Sequence, residues 1–414
     1  MQEHTERKVP QIRFKGFKEE WEEELLGDIY TKIRNAFVGT ATPYYTDKGH
    51  FYLQSNNVKN GEINRNTEVF INEYFYQNQK DKWLRANDIV MVQSGHVGHT
   101  AVISEELDNT AAHALIIISR PARDISSYFV NFYLQGNRAK RDLANITTGN
   151  TIKHILASEI KRFGVFFTHP TEQTQIGKYF RELDSLIALH QRKHDKLLAL
   201  KKAMLQKMFP QPGVSIPEIR FKGFAGDWVT KNLSEICDET YGGGTPRTAE
   251  RKFWEGMIPW IQSSDITDGE IYKVTPRKYI NDLALRKSPT KLIPQNSIAI
   301  VTRVAVGKLA LMEFSYAASQ DFLSLSKLKL DQSFAVVALS ILLESKLHET
   351  QGTSIKGITK EELLAYSLKI PYDTIEQQKI GTYFRTLDRL ISKHAIQLQK
   401  LQQIKSACLE KMFV

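Results

Sequence analysis

The chain has 414 residues, a formal net charge of +10, 42% apolar and 25% charged residues, and two cysteines. That is room for two or three domains of ordinary globular composition, and no apolar run reaches the roughly 18 residues that span a bilayer. Cys237 and Cys408 stand far apart, outside any C-x-x-C spacing, and the first eight residues are polar. The expectation is a cytoplasmic protein with free thiols, no secretory signal and no zinc framework.

In chain order the first element is a lead-in, Pro10-Gln-Ile-Arg-Phe-Lys-Gly-Phe17, ending at Trp21; it returns as Pro217-Glu-Ile-Arg-Phe-Lys-Gly-Phe224, ending at Trp228. Each lead-in opens a long region in which only islands agree between the copies. Leu53-Gln-Ser55 with Gly61-Glu-Ile63 matches Ile261-Gln-Ser263 with Gly269-Glu-Ile271. Asp88-Ile-Val-Met-Val92 followed by Val97-Gly98 matches Ser297-Ile-Ala-Ile-Val301 followed by Val306-Gly307, and Gly149-Asn-Thr-Ile-Lys153 matches Gly352-Thr-Ser-Ile-Lys356. Clustered β-branched residues closed by Gly or Asn predict short strands and turns. Each region ends in one long helical pattern, carrying Ile176-Gly-Lys-Tyr-Phe-Arg181 or its copy Ile380-Gly-Thr-Tyr-Phe-Arg385. The offset between copies, about 207 residues near their starts and about 204 near their ends, is far beyond a solenoid period. The chain therefore reads as α+β, a tandem repeat of two mixed α/β domains, 1–171 and 210–375, with two long like helices, 172–209 and 376–414.

The helices are the clearest local signal. From Glu172 to Phe209 apolar or near-apolar residues recur every seven positions, at Ile176, Leu183, His190, Leu197 and Met204, and the second copy reads Ile380, Leu387, His394, Leu401 and Cys408. Companion positions three to four residues on include Tyr179, Phe180 and Leu200, and Tyr383, Phe384 and Ile404. Such a repeat is a coiled-coil seam, and two like helices on one chain can pair internally. His190 and His394 hold equivalent seam positions, where a polar residue fixes register or pairing. At about 1.5 Å per residue each helix is a rod of about 57 Å.

No segment reads as a catalytic or nucleotide-binding motif. Tyr241-Gly-Gly-Gly-Thr-Pro-Arg247 has the glycines but neither a Gly-Lys-Ser/Thr ending nor a G-x-G-x-x-G leading into a helix. There is no Asn-Pro-Pro-aromatic or Asp-Pro-Pro-aromatic segment of the kind amino-methyltransferases use to hold a flipped base. His96-Val-Gly-His99 with His113 matches no zinc spacing and has no counterpart in the other copy, so these read as surface or turn histidines. Aromatic and basic residues are interleaved instead: Tyr44, Tyr45, Lys48, His50, Tyr52, Lys80, Lys82, Trp83 and Arg85 in the first copy. The second has Arg247, Arg251, Lys252, Phe253, Trp254, Trp260, Arg277, Lys278 and Tyr279. With a surplus of cations this suits duplex DNA, Arg and Lys neutralising phosphates while Arg, Asn, Gln and Ser read base edges.

The two lead-ins, the Gly243-Gly-Thr-Pro246 turn, the Trp260-Ile-Gln-Ser-Ser-Asp-Ile266 run and the Arg303 to Gly307 turn together carry a family likeness. So do the Gly352 to Ile358 exit and the Pro371 and Glu376-Gln377 approach to the repeated helix. Over nearly its full length the chain resembles the specificity subunit of type I restriction-modification systems. The resemblance implies two target-recognition domains, each reading one half of a split, asymmetric DNA sequence, and two helices forming an antiparallel coiled coil in a pseudo-twofold arrangement that sets the unread spacer. It implies a non-catalytic chain that binds no cofactor itself. Two methyltransferase (M) subunits would dock on the helices, methylating adenine with S-adenosylmethionine, and ATP- and Mg-dependent restriction/translocase (R) subunits would join them. Carried over by position, the candidates for DNA contact are Gln54, Ser55, Ser94, His96 and Lys153 in the first domain and Thr245, Arg247, Gln262, Ser263, Arg303 and Lys356 in the second. Around Asn35 to Pro43 the first copy lacks the Gly-Gly-Thr-Pro turn, a departure from the family pattern.

Two other classes compete on sequence alone. One is a structural adaptor with two protein-binding domains on an internal coil and no nucleic acid; the other is an enzyme fragment with its own activity. Steeply salt-dependent binding of duplex DNA separates the first from the DNA-reading interpretation, and methyl transfer by the chain alone would favour the second.

Overall fold

The residues that repeat are those that lock each helix onto a sheet. The computed structural model describes residues 8–149, 153–349 and 357–414. It divides into two units: the chain up to His190 together with Gln397–Val414, and Gln191–Ile396. The first contains β1 (Tyr30–Asn35), β2 (His50–Leu53), β3 (Ile89–Val92), β4 (Thr100–Val102), β5 (Leu115–Pro121), α1 (Ser127–Gln135) and the start of α2 (Pro170–Lys207). The second contains the end of α2, then β6 (Cys237–Gly242), β7 (Ile258–Ile261), β8 (Ser297–Val301), β9 (Leu309–Met312), β10 (Phe322–Leu328), α3 (Gln332–Glu349) and α4 (Thr374–Lys411), whose last turns belong to the first unit. No helix among the described residues is long and apolar enough to cross a membrane.

The first unit is built on a four-stranded antiparallel sheet in the order β1-β5-β3-β4, with Ile117 opposite both Arg34 and Val90. Its central strands are covered on both faces, which is why they read as unbroken apolar runs. Ile89, Met91, Ile116 and Ile118 face Phe129 and Val130 of α1, and Val90, Val92, Leu115 and Ile117 form a second cluster with Leu53, Val58 and Leu84. A smaller sheet places β2 between Ala111–Ala112, which runs parallel to it, and Phe70–Ile71. The segment Glu22–Leu25 pairs with Gly164–Phe167 just before α2.

The lead-in and helix motif of this unit interlock. Arg13 forks onto the buried Glu172 at the start of α2, while Phe14 meets Tyr179 edge-on at 5.9 Å. Trp21 packs on Phe129 and on Phe413, a residue of the chain's last turn. Gly177 is small because a Cβ there would stand 3.1 Å from the Ser126 hydroxyl and the Tyr128 Cβ at the start of α1. Ile176 and Phe180 are sealed in the core, and Arg181 lies over the Tyr128 ring. The Ile12 N–H donates to the Lys411 carbonyl at 2.9 Å, tying the lead-in to the end of α4.

The second unit repeats this plan. Its main sheet has the order β6-β10-β8-β9, with β7 in a smaller sheet parallel to Ala317–Ala318. Arg220 forks onto the buried Glu376, Phe221 meets Tyr383, Trp228 packs on Phe334 and Phe209, and the Ile219 N–H donates to the Lys207 carbonyl at 2.8 Å. At Gly381 the approach is closer: a Cβ would stand 2.6 Å from the Phe334 nitrogen. The plug of this core, Phe209, follows the first helix, whereas Phe413, after the second helix, plugs the first unit.

Within each unit the two helices run antiparallel. In the first, Asp184 of α2 pairs with Lys405 of α4 at 2.5 Å and Tyr179 reaches Cys408 at 3.5 Å; in the second, Lys201 pairs with Asp388 at 2.5 Å while Phe209 lies beside Phe384. Of the seam residues, Ile176, Leu183, Ile380, Leu387 and Cys408 are buried. Leu197 and Met204 are half-buried against the second unit's core and Leu401 against the first's; His190 and His394 are half-buried.

Candidate nucleic-acid interface

Each unit presents three polar segments where strands end. The first follows β2 or β7. Gln54 and Gln262 leave their strands in nearly the same conformation (φ, ψ of −118°, 167° and −121°, 164°), followed by one 3₁₀ turn, Ser55–Asn57 or Ser263–Asp265. The turn is held by its third residue: Asn57 Oδ1 accepts the Gln54 N–H at 3.0 Å, and Asp265 Oδ2 accepts the Gln262 N–H at 2.9 Å. Both holders are buried, while Gln54, Ser55, Gln262 and Ser263 are half-buried at the rim. The Gln54 amide donates to the Tyr45 hydroxyl at 2.7 Å. In the second unit Arg277 braces the turn, 3.4 Å from Asp265 and from the Ser264 carbonyl.

The second segment is the hairpin tip joining β3 to β4, or β8 to β9. Gly98 and Gly307 close the two tips at φ +84° and +94°, their N–H groups donating to the Val92 and Val301 carbonyls. Ser94 and Arg303 stand at equivalent places on these tips; His96 and Arg303 are exposed, and Arg303 has no ion-pair partner among the described residues. The third segment is the exit segment beside the tip. The Ile155 N–H donates to the Gln93 carbonyl and the Gly95 N–H to the Lys153 carbonyl; in the second unit Ile358 donates to Thr302. This pairing brings Ser94 and His96 to the exposed Lys153. Lys356 lies outside the described residues. Arg303, Thr302, Gly243, Gln320 and Gly357 line a cavity of about 520 Å³ in the second unit.

Thr245 and Arg247 belong to the Gly-Gly-Thr-Pro turn. Gly243 and Gly244 are required there, because a Cβ on the first would lie 1.8 Å from the Ser319 carbonyl and one on the second 2.8 Å from Pro289. Trp260 Nε1 donates to the Gly244 carbonyl and Trp254 Nε1 to that of Arg247, which leaves the Arg247 side chain exposed and Thr245 half-buried. The first unit has the same strand ending in different residues. Phe37 donates its N–H to Ala112 as Gly244 does to Ala318, and its ring packs edge-on against Phe75. Among the described residues no hydrogen bond joins the Gln54 turn to the Ser94 tip; the hairpin Val58–Ile63 links them through the Gly61–Ala101 bridge.

Among the described residues no group of three His, Cys, Asp or Glu side chains is placed to hold a metal ion. His99 Nδ1 accepts the Asn60 N–H at 3.3 Å, and burial, then His96 and nearby lysines, push its pKa down, so the ring is neutral near pH 7. His113 bonds the Gly39 carbonyl. Many interleaved aromatics prove to be packing: Tyr52 and Trp260 are buried, and His50, Tyr76 and Trp83 form a continuous stack. The turn holders Asn57 and Asp265 escaped the sequence reading, although the shared Gln-Ser-x-Asn/Asp spacing was there to be read.

Comparison with known proteins follows the duplication. The model of the type I restriction modification DNA specificity domain matches twice, over residues 18–199 and 225–406. The chain is similar to a putative type I restriction enzyme MjaX specificity subunit of Methanocaldococcus jannaschii, at 24% identity over 94% of this chain and 91% of that one. It is 33% identical to the EcoR124I/EcoR124II specificity subunit of Escherichia coli over 42% of this chain and 43% of that one. Among solved structures, the S subunit of a type I restriction-modification system from M. genitalium shares its fold. That match has a TM-score of 0.68 at 14% identity and covers 98% of this chain and 99% of the other.

Proposed function

Because the chain belongs to the type I restriction-modification DNA specificity family, we propose that each of its two recognition domains reads one half of a bipartite, asymmetric DNA site through the three polar segments at its strand ends. The observation that carries this reading is the pair of matched turns. Gln54 and Gln262 stand in one backbone conformation, and Ser94 and Arg303 stand at one place on two hairpin tips. A common scaffold that keeps the Gln-Ser turn and exchanges the side chain at the tip, Ser94 for Arg303, suits two different half-sites, since base edges are read by side-chain hydrogen bonds while backbone contacts only position.

In this reading Arg303, Arg247, Thr245, Gln262, Ser263 and, by position, Lys356 face one half-site; Gln54, Ser55, Ser94, His96 and Lys153 face the other. The two helices set the spacer and carry the docking platforms for two methyltransferase subunits, and restriction subunits join through them. The chain itself performs no bond-making step in the cytoplasmic complex. S-adenosylmethionine, ATP and Mg belong to its partners. The test is duplex binding by the assembled complex. Arg303→Ala and Lys153→Ala each weaken binding by about 1–3 kcal/mol; a base contact relaxes one position of the site, and a phosphate contact lowers affinity for all sequences alike. Unchanged affinity in both variants, with unchanged methylated adenines, removes these two residues from the interface.

A further inference from the structure

At the end of the first unit's sheet remote from the hairpin tip lies a second cationic feature. A cavity of about 800 Å³ opens where β1 and β5 meet the turn before β3, and its lining includes Lys32, Arg34, Lys80, Arg85 and Arg120. It is not the surface already described: Asp88, in the cavity wall, precedes β3, and Gln93 and Ser94 follow the strand's other end.

The charges in this cavity are unbalanced. Arg85 is met by Asp108 at 3.5 Å, and Lys80 lies over the Trp83 ring. Lys32 and Arg120 have no ion-pair partner among the described residues. Arg34 donates weakly to the Lys82 and Trp83 carbonyls at 3.3 and 3.4 Å, and its buried Nε has no hydrogen-bond partner. The acidic groups in the cavity wall are Asp81 and Asp88. One oxygen of Asp88 is occupied by the Arg85 N–H at 2.9 Å, and burial pushes its pKa up. Burial lowers the pKa of Arg34, with Arg120 acting in the same direction and Asp88 and Asp81 opposing it.

The second unit shows that the fold does not need these cations. Lys32 stands opposite Ser119 in the sheet, and the residue opposite Ser326 is Glu239. Two positions further along, Arg34 is replaced by Tyr241. Arg120 and Lys327 share the left-handed conformation at φ +58° and +50°, so they leave their strands at the same place. In the second unit this trio satisfies itself: Lys327 pairs with Glu239 at 2.5 Å, and the Tyr241 hydroxyl donates to Glu239 at 2.6 Å. The first unit has the same frame with the carboxylate removed and two cations added.

We propose that this cavity is a phosphate-binding pocket, in which Lys32, Arg34 and Arg120 take a phosphoryl anion that supplies the negative charge Glu239 supplies in the second unit. Two planar guanidinium groups and an ammonium suit tetrahedral oxyanions, and the start of α1, whose Ser126–Tyr128 close the wall, adds positive potential. The same chemistry is presented by a DNA backbone phosphate beyond the half-site and by free phosphate, and the experiment separates them.

The full chain is titrated with inorganic phosphate at constant ionic strength, chloride replacing phosphate, and its duplex affinity is measured across a salt series. Both are repeated on Lys32→Gln/Arg120→Gln, on Arg34→Tyr, which copies the second unit, and on the charge-preserving Lys32→Arg/Arg120→Lys. Saturable phosphate binding that weakens at least tenfold in the first two variants and survives in the third supports the pocket. If the slope of log affinity against log salt also falls by about one per lost contact, the occupant is DNA backbone; if the slope is unchanged, it is free phosphate. A loss of slope alone likewise assigns the pocket to backbone phosphate. Phosphate binding and salt slopes identical in wild type and the neutral variants overturn the proposal. The phosphate arm does not depend on DNA reading, so failure of that reading is distinguishable.

Discussion

Arg13 holds Glu172 by two parallel bonds, Nε to Oε1 at 2.7 Å and Nη2 to Oε2 at 2.8 Å, around a carboxylate with no exposed side-chain surface. Arg220 and Glu376 repeat the geometry with the same two distances. Each fork fastens a lead-in to the first turn of a long helix. Removing one partner of a buried pair leaves an uncompensated charge, so Arg13→Ala and Arg220→Ala each cost about 3–5 kcal/mol. Arg13→Lys recovers only part of this, because an ammonium cannot match both oxygens at once. Urea denaturation measures the effect; a loss below 1 kcal/mol for the alanine variants contradicts it.

Phe413 and Phe209 make a second pair of equivalents with exchanged allegiance. Phe413 packs on Trp21, Phe129 and Phe180 in the first unit, Phe209 on Trp228 and Phe334 in the second. Truncating a buried Phe costs about 3–5 kcal/mol through lost burial and the cavity left behind. Phe413→Ala therefore loosens the first unit although the residue is the chain's last but one, and Phe209→Ala loosens the second. Hydrogen exchange resolved by peptide checks the assignment: Phe413→Ala speeds exchange in Ile89–Val92 and Leu115–Pro121 and leaves Ser297–Val301 protected. The reverse pattern would refute it.

The fold was legible in the sequence because its repeated motifs are local and each member is committed. Ile176, Gly177, Tyr179, Phe180 and Arg181 all have core or helix-contact duties, so none could drift between the copies. Which unit each helix end serves was not legible, since the heptad pattern stops short of Phe209 and Phe413, which follow Lys207 and Lys411 at the helix ends. The candidate site was partly hidden by exchange of volumes. Phe37 and Phe75 in the first unit occupy the places of Gly244 and Ala284 in the second, where the space goes to Trp254 and Trp260. The backbone of the Gly-Gly-Thr-Pro turn thus has a counterpart at Asn35 to Pro43 that no residue identity reveals. The Gln54 and Gln262 turns remained visible because a short polar holder is needed three residues on.

Asp184 and Asp388 link the coil to pH. Burial raises the pKa of both carboxyls above the ordinary 3.8, against the pull of Lys405 and Lys201. Between the ordinary and the raised value the folded chain binds more protons than the unfolded one, so this contribution to stability falls as pH rises through that window and is level above it. Asp184→Asn removes the titration. The stability difference between wild type and Asp184→Asn, followed by urea midpoints from mildly acidic to neutral pH, therefore shifts in favour of the variant as pH rises and then becomes constant. A difference that moves toward wild type with rising pH would show that the lysine, not burial, governs the carboxyl.

The two ion pairs also make helix length a testable ruler. Asp184–Lys405 lies within the first unit and Lys201–Asp388 within the second, and the units divide between His190 and Gln191 in α2 and between Ile396 and Gln397 in α4. One heptad inserted at both divisions keeps the seven-residue seam and leaves both pairs intact. It adds about 10.5 Å of helix, close to three base pairs at about 3.4 Å each. Mapping methylated adenines in DNA from cells that carry the variant with its partner subunits should find both half-sites unchanged and the spacer longer by about three base pairs. A heptad in one helix alone cannot satisfy both pairs and should abolish modification. Altered half-site bases with the original spacer would mean that the helices do not set the distance.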